Sequence, residues 1–248
     1  MTPAWQQLYD RVTAVSPAPG ALLVAAVAVV AVLLAWSPPG YRLVRHLVTL
    51  VHEAGHALVA LLAGRRLSGI RLHSDTSGVT LSRGRPRGPG MVLTLAAGYP
   101  APAVVGLAGA WLLGAGYAAA TLWALVLTCA LMLVLVRNLY GLWVVAVTGT
   151  ALAALSWAGT AELIQAVAYL VVLSLLLAAP RSVAELHRQR RRHRRAASAR
   201  HGARAGLDSD ADQLARLTGV PVVLWTALFW AVCVGCLLAG GLWLWPVA

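Results

Sequence analysis

The sequence predicts an all-α polytopic membrane protein of about seven transmembrane helices, with a small cytoplasmic β-hairpin. Three observations carry this reading. The 248 residues are 60% hydrophobic and only 11% charged, where a soluble domain carries roughly 25% charge. So few polar side chains could not cover a soluble globule of this size, which excludes a soluble enzyme and a disordered protein. The apolar residues fall in runs of the length, about 20 residues, that crosses ~30 Å of hydrocarbon. The remaining charge is one-sided: 20 basic residues, every one Arg, against 8 acidic.

The first run, Gly20–Trp36, follows a polar N-terminus holding Asp10 and Arg11. It lacks a basic n-region, so it reads as a span and not a signal sequence. Six more follow: Tyr41–Ala63, Met91–Leu113, Tyr117–Val136, Leu139–Trp157, Ala161–Ala179 and Val220–Trp245. Between the second and third, Ser68–Ser82 alternates polar and apolar residues around Asp75-Thr76-Ser77-Gly78, the pattern of a β-hairpin. Before the last span, Asp208–Thr218 reads as a short separate helix. Ser209 and Asp210 suit its N-cap and Gly219 its C′ position, while Pro221 prevents smooth continuation. The stretch 181–207 reads as an arginine-rich cytoplasmic loop, and residues 1–248 as one membrane-embedded domain.

Loop charge sets the expected direction. Arg181–Arg204 contains nine arginines and the 65–87 loop six more, which marks both as cytoplasmic. Trp36, Trp111, Trp157, Trp243 and Trp245 fall at the opposite ends, as an interfacial aromatic belt would. Odd–even counting over seven spans then puts the N-terminus in the cytoplasm and the C-terminus outside. Cys129, Cys233 and Cys236 lie inside apolar runs, so no disulfide framework is expected.

The second run contains His52-Glu53-Ala54-Gly55-His56. Two histidines at i and i+4 share one helical face, close enough to hold one metal ion, and the adjacent Glu53 can act as general base on metal-bound water. A carboxylate deep in a span is disfavoured by roughly 3 kcal/mol on insertion scales, so its presence calls for a function. Glu53 is the only acid so placed in the seven runs. The plainer alternative is a polar helix–helix contact.

The stretch His52-Glu53-Ala54-Gly55-His56-Ala57 on a membrane helix, followed by a hairpin, resembles the zinc metalloproteases of peptidase family M50, the site-2 protease clan. Leu72-His73-Ser74-Asp75-Thr76-Ser77-Gly78-Val79-Thr80 and Ser209-Asp210-Ala211-Asp212 through Pro221 make it similar to the short, actinobacterial M50B-like branch, and Ala97-Gly98-Tyr99-Pro100 partly echoes the family's Ala-Gly-Pro stretch. The resemblance implies an integral protein of a bacterial plasma membrane that hydrolyses a peptide bond in or near the bilayer. It implies Zn2+ as cofactor, His52 and His56 as ligands, and Glu53 as catalytic base. The implied partners are a membrane protein or peptide substrate and the lipid bilayer, with no nucleic acid and no organic cofactor. The chain departs from the family pattern at Arg137-Asn138-Leu139-Tyr140-Gly141, which has no acid where site-2 proteases carry an Asp-Gly pair.

A catalytic zinc site needs about three protein ligands. The third is expected at Asp210, with Asp212 as second choice and Asn138 as third. Reaching the histidines requires the short helix to dip inward, which is tolerable only where protein buries its ends. His73, Asp75 and Asn138 are weaker, substrate-side candidates; for His73 and Asp75 turn chemistry is the plainer reading. Arg45 and His46 are given no role. A non-catalytic zinc-binding scaffold and a small-solute transporter are the competing functions. A transporter would be expected to carry internal repeats, and none is visible.

Overall fold

The computed structural model describes residues 3–199 and 209–245. Among these, ten helices and one two-stranded sheet follow in order: α1 (Ala4–Thr13), α2 (Ala21–Trp36), α3 (Pro38–Leu62), β1 (Arg66–Leu72), β2 (Gly78–Arg83), α4 (Pro89–Ala97), α5 (Ala101–Gly114), α6 (Ala118–Leu135), α7 (Leu139–Ala158), α8 (Ala161–Ala199), α9 (Asp210–Thr218) and α10 (Val222–Leu244).

Helices α6, α7, α8 and α10 are each long and apolar enough to cross a membrane. The pairs α2–α3 and α4–α5 meet both conditions only when each is taken together, bent by 92° and 64°; α3 alone has the length, at 25 residues, but is too polar. The described residues therefore hold four candidate spans, or up to six with each bent pair counted once, in place of the expected seven. The difference lies at Ser37-Pro38-Pro39. Ser37 Oγ accepts a hydrogen bond from Gly40 N at 3.2 Å, and proline occupies the first turn of α3, where its missing N–H costs nothing. A new helix starts at once, at nearly a right angle, with no loop to reverse the chain.

That bend changes which chain ends share a face. Gln165 Nε2 donates to the Pro17 carbonyl at 2.7 Å, and Arg181 donates to the Ala35 carbonyl, so α2 and α8 run parallel. Ser16 N donates to Gly116 O at 2.8 Å, and Gly114 lies against the backbone of Trp243. The N-terminal segment thus shares a face with the 115–117 turn, the start of α8 and the end of α10. This corrects the expectation that it lies with the hairpin and the arginine-rich run. Odd–even counting assumes that every apolar run reverses the chain, and α3 does not.

The arginine-rich run is also corrected. Instead of forming a loop from 181, α8 continues as helix through Pro180 to Ala199; Arg, Gln, Ala and Leu are all good helix formers. Residues 200–207 and Asp208 lie outside the described residues. Helix α9 begins at Asp210. Ser209 accepts from Asp212 N at its start, and Gly219, at φ 74°, closes it in the left-handed conformation that glycine adopts without a Cβ penalty.

Two apolar clusters hold the bundle. Gly106 of α5 and Gly240 of α10 both close onto Leu176 of α8, and Gly109 closes onto Val172. Small residues permit such close approach, which matters in a bilayer, where transfer from water contributes nothing to helix association. The second cluster includes Val48, Val51, Ile70, Leu72, Met132 and Val136, and it fastens α3 to the hairpin and to the end of α6.

The hairpin is antiparallel, pairing Leu72 with Gly78 and Ile70 with Thr80, with an irregularity between Leu67 and Gly69. Its turn is held by Asp75, whose Oδ1 accepts from Ser77 N at 3.0 Å and from Ser77 Oγ at 2.6 Å. The outer edge of β1 is closed by residues 136–138: Arg137 N donates to Ile70 O, and Asn138 exchanges two hydrogen bonds with the Leu72 backbone, at 3.1 and 2.7 Å.

Candidate metal centre

The helical period puts His52 and His56 one turn apart on the same face of α3. Their Nε2 atoms are 3.0 Å apart, and the rings meet edge to face with centroids 4.6 Å apart. His56 Nδ1 lies 2.6 Å from the Thr94 carbonyl of α4. A carbonyl only accepts, so Nδ1 carries the proton and the lone pair of the neutral ring sits on Nε2. His52 is braced by the edge of Tyr99, centroids 4.9 Å apart, and Tyr99 is itself stacked on Phe229 of α10.

Asp210, the first residue of α9, points into the same spot. Its Oδ2 is 3.3 Å from His52 Nε2 and 3.2 Å from His56 Nε2. These three residues form a group whose ligand atoms could hold one metal ion. The spacing suits zinc: tetrahedral bonds of about 2.0–2.1 Å put ligand atoms ~3.3 Å apart, and two imidazoles with a carboxylate are a donor set zinc takes. Burial works against the charge on Asp210, but with no metal bound, His52 and His56 protonated at Nε2 can donate to it, which outweighs burial and holds the carboxyl well below the usual carboxylate range. It stays ionised, as a metal ligand must be.

The other expected ligands go elsewhere. Asp212 turns away from the histidines, because two positions along a helix is roughly 200° of rotation. Its Oδ1 is 2.8 Å from Arg190 Nη2 and 3.1 Å from Nε. Asn138 is spent on the Leu72 backbone. His73 and Asp75 are held in the hairpin turn, with His73 Nδ1 3.4 Å from Ser77 Oγ.

Residues 25–240 match the protein family described as Peptidase M50B-like. The chain belongs to that family. No curated protein and no solved structure matches it.

In this M50B-like chain Glu53 is buried, at 3% exposure, and lines the same cleft as the three candidate ligands. Its Oε2 accepts a hydrogen bond from Thr80 Oγ1 of β2 at 2.6 Å. Gly78 faces Oε1 so closely that a Cβ there would come within 2.5 Å of it. The cleft has a volume of about 410 Å³. Hairpin residues 76–80 form one wall, and Glu185 and Gln189 of α8 form part of another. Arg45 also lines it, 3.4 Å from Glu185, and His46 bonds Tyr140 Oη at 2.9 Å.

Sequence reasoning gave no site role to Thr80, Thr94, Gly98 or Tyr99, although Thr80 and Ala97-Gly98-Tyr99-Pro100 lie in stretches with some family likeness. For Gly98 and Tyr99 a further signal existed, since Ala97-Gly98-Tyr99-Pro100 interrupts an apolar run with two helix breakers. A lone threonine facing a distant glutamate or histidine carries none by itself.

Proposed function

We propose that this M50B-like chain is an intramembrane zinc metalloendopeptidase. The observation that carries the reading is the convergence of His52, His56 and Asp210 beside a buried glutamate, on a polar cleft inside an otherwise apolar bundle. His52, His56 and Asp210 would hold the zinc, which when bound supplies Lewis acidity to lower the pKa of a water and polarise the scissile carbonyl. Thr94 keeps the His56 ring in the tautomer that presents Nε2, and Tyr99 limits tilting of the His52 ring. Glu53 takes a proton from the attacking water as its oxygen adds to the carbonyl carbon. It then returns the proton to the departing amide nitrogen as the C–N bond breaks, leaving a carboxylic acid and an amine, between which a further proton moves to give carboxylate and ammonium. Thr80, donating to Oε2, fixes the carboxylate that performs this transfer.

The hairpin supports a protein substrate. Residues 136–138 close β1, while among the described residues no further strand pairs with β2. An extended segment laid along that open edge would meet backbone donors and acceptors beside Glu53, the mode by which sheet edges accept peptides. Loop arginines support placing the hairpin, Arg85 and α9 in the bacterial cytoplasm, with both the N-terminal segment and the end of α10 outside. The test is cleavage of a membrane-protein substrate by purified protein. Loss of cleavage in Glu53→Gln with zinc retained is the expected result; unchanged cleavage would sink the assignment.

A further inference from the structure

Helix α9 delivers one of the three candidate ligands, yet it is only nine residues long. What orients it is therefore a question about its side-chain contacts. Ala211 and Leu214 are fully buried in the larger apolar cluster, which anchors one face of α9. A further contact lies on the side away from the histidines. There Asp212 Oδ1 receives both Nε and Nη2 of Arg190, at 3.1 and 2.8 Å. Its other oxygen accepts from Ser209 Oγ at 2.5 Å, while Ser209 Oγ accepts from Asp212 N at 3.3 Å. Asp212 thus closes the N-terminal cap of α9 and ties that cap to α8 through a single side chain. The two partners are only 18% and 22% exposed, so water screens this contact less than an ordinary surface pair.

We propose that Arg190 is a positioning residue for the metal centre, acting through Asp212 to hold Asp210 at the histidine pair. The proposal rests on the zinc reading above. Its geometric basis is the opposed facing of residues 210 and 212: a tie pulling on one side of the first turn of α9 holds the carboxylate on the other. It also gives the helical extension of α8 a task that a mere topology anchor would lack. A salt bridge serving stability alone would hold the fold together and leave the metal affinity untouched, which is how the two are told apart.

The experiment uses the full chain purified in detergent, stripped of metal and titrated with Zn2+, with thermal unfolding of the metal-free form measured in parallel. Arg190→Ala should weaken zinc binding about 10- to 100-fold, the usual effect of losing a partner that orients a ligand. Its metal-free unfolding temperature should match that of Arg188→Ala, which removes an exposed charge from the same helix. Arg190→Lys should fall between wild type and Arg190→Ala, and excess zinc should restore cleavage to Arg190→Ala. If Arg190→Ala does not fold, Arg190→Gln, which keeps the stem and a donor, carries the same comparison. Wild-type zinc affinity in Arg190→Ala, or an equal loss in Arg188→Ala, overturns the proposal. The zinc reading fails separately: it falls if His52→Ala and His56→Ala bind zinc as the wild type does.

Discussion

The backbone of Gly98 lies directly against the imidazole of His56. A Cβ built at Gly98 would stand 2.3 Å from His56 Nε2 and 2.6 Å from His52 Cε1. The break between α4 and α5 therefore does more than bend a helix pair. It brings bare backbone up to the ring atoms that face the Asp210 carboxylate, and only a residue without a side chain leaves those atoms where they are.

Gly98→Ala should accordingly disable the site while leaving most of the fold intact. Overpacking costs about 1–3 kcal/mol, and displacing a reacting group by about 1 Å can cost about 100-fold in rate. We expect a loss of cleavage of about that size together with reduced zinc content. Normal zinc content and normal cleavage in Gly98→Ala would contradict the geometry.

Thr80→Val removes the hydroxyl that donates to Glu53 at 2.6 Å without changing side-chain volume much. The expected result is a fall in kcat of about tenfold, the scale of one lost hydrogen bond to a charged group, with zinc affinity unchanged. Glu53→Gln should fall much further, by about 10²–10⁴, the range that general base catalysis supplies. Single-turnover cleavage and metal analysis of the two variants separate orientation from proton transfer.

Asp210→Ala and Asn138→Ala should divide cleanly. The first should lower zinc content strongly, because it removes a group within 3.3 Å of both histidines. Asn138→Ala should leave zinc content alone and reduce stability by about 1–3 kcal/mol, since it strands the Leu72 backbone groups at the edge of β1. Metal analysis and denaturant unfolding of the same preparations would expose any reversal.

Accessibility labelling tests the shared face of the chain ends. Single cysteines replacing Thr13 and Ala158 should be labelled from the same side of intact cells, and one replacing Arg85 only from the other. The three native cysteines are buried, which keeps the background low. Labelling of Thr13 and Arg85 positions from one side would restore the seven-span arrangement.

Several features were legible in the sequence because their causes are local. Composition and run length announced a membrane bundle, and the 3.6-residue period set His52 and His56 on one face with Glu53 adjacent. Strand alternation around Asp75–Gly78 announced the hairpin, and the same stretches carried the M50B-like resemblance. Each depends on residues within a turn or two of one another. The tertiary structure decided what depends on direction. Ser37-Pro38 starts a new helix, but nothing local states that it leaves at 92° to the old one, so the span count and the face of the N-terminus escaped the sequence. Asp210 and Asp212 have the same chemistry and neighbouring positions. Which one meets residues more than 150 positions earlier follows from the rotation of α9 in its tertiary packing. Asn138, a plausible ligand by residue type, was claimed by the open edge of β1, because unpaired backbone groups in a buried strand must be satisfied first.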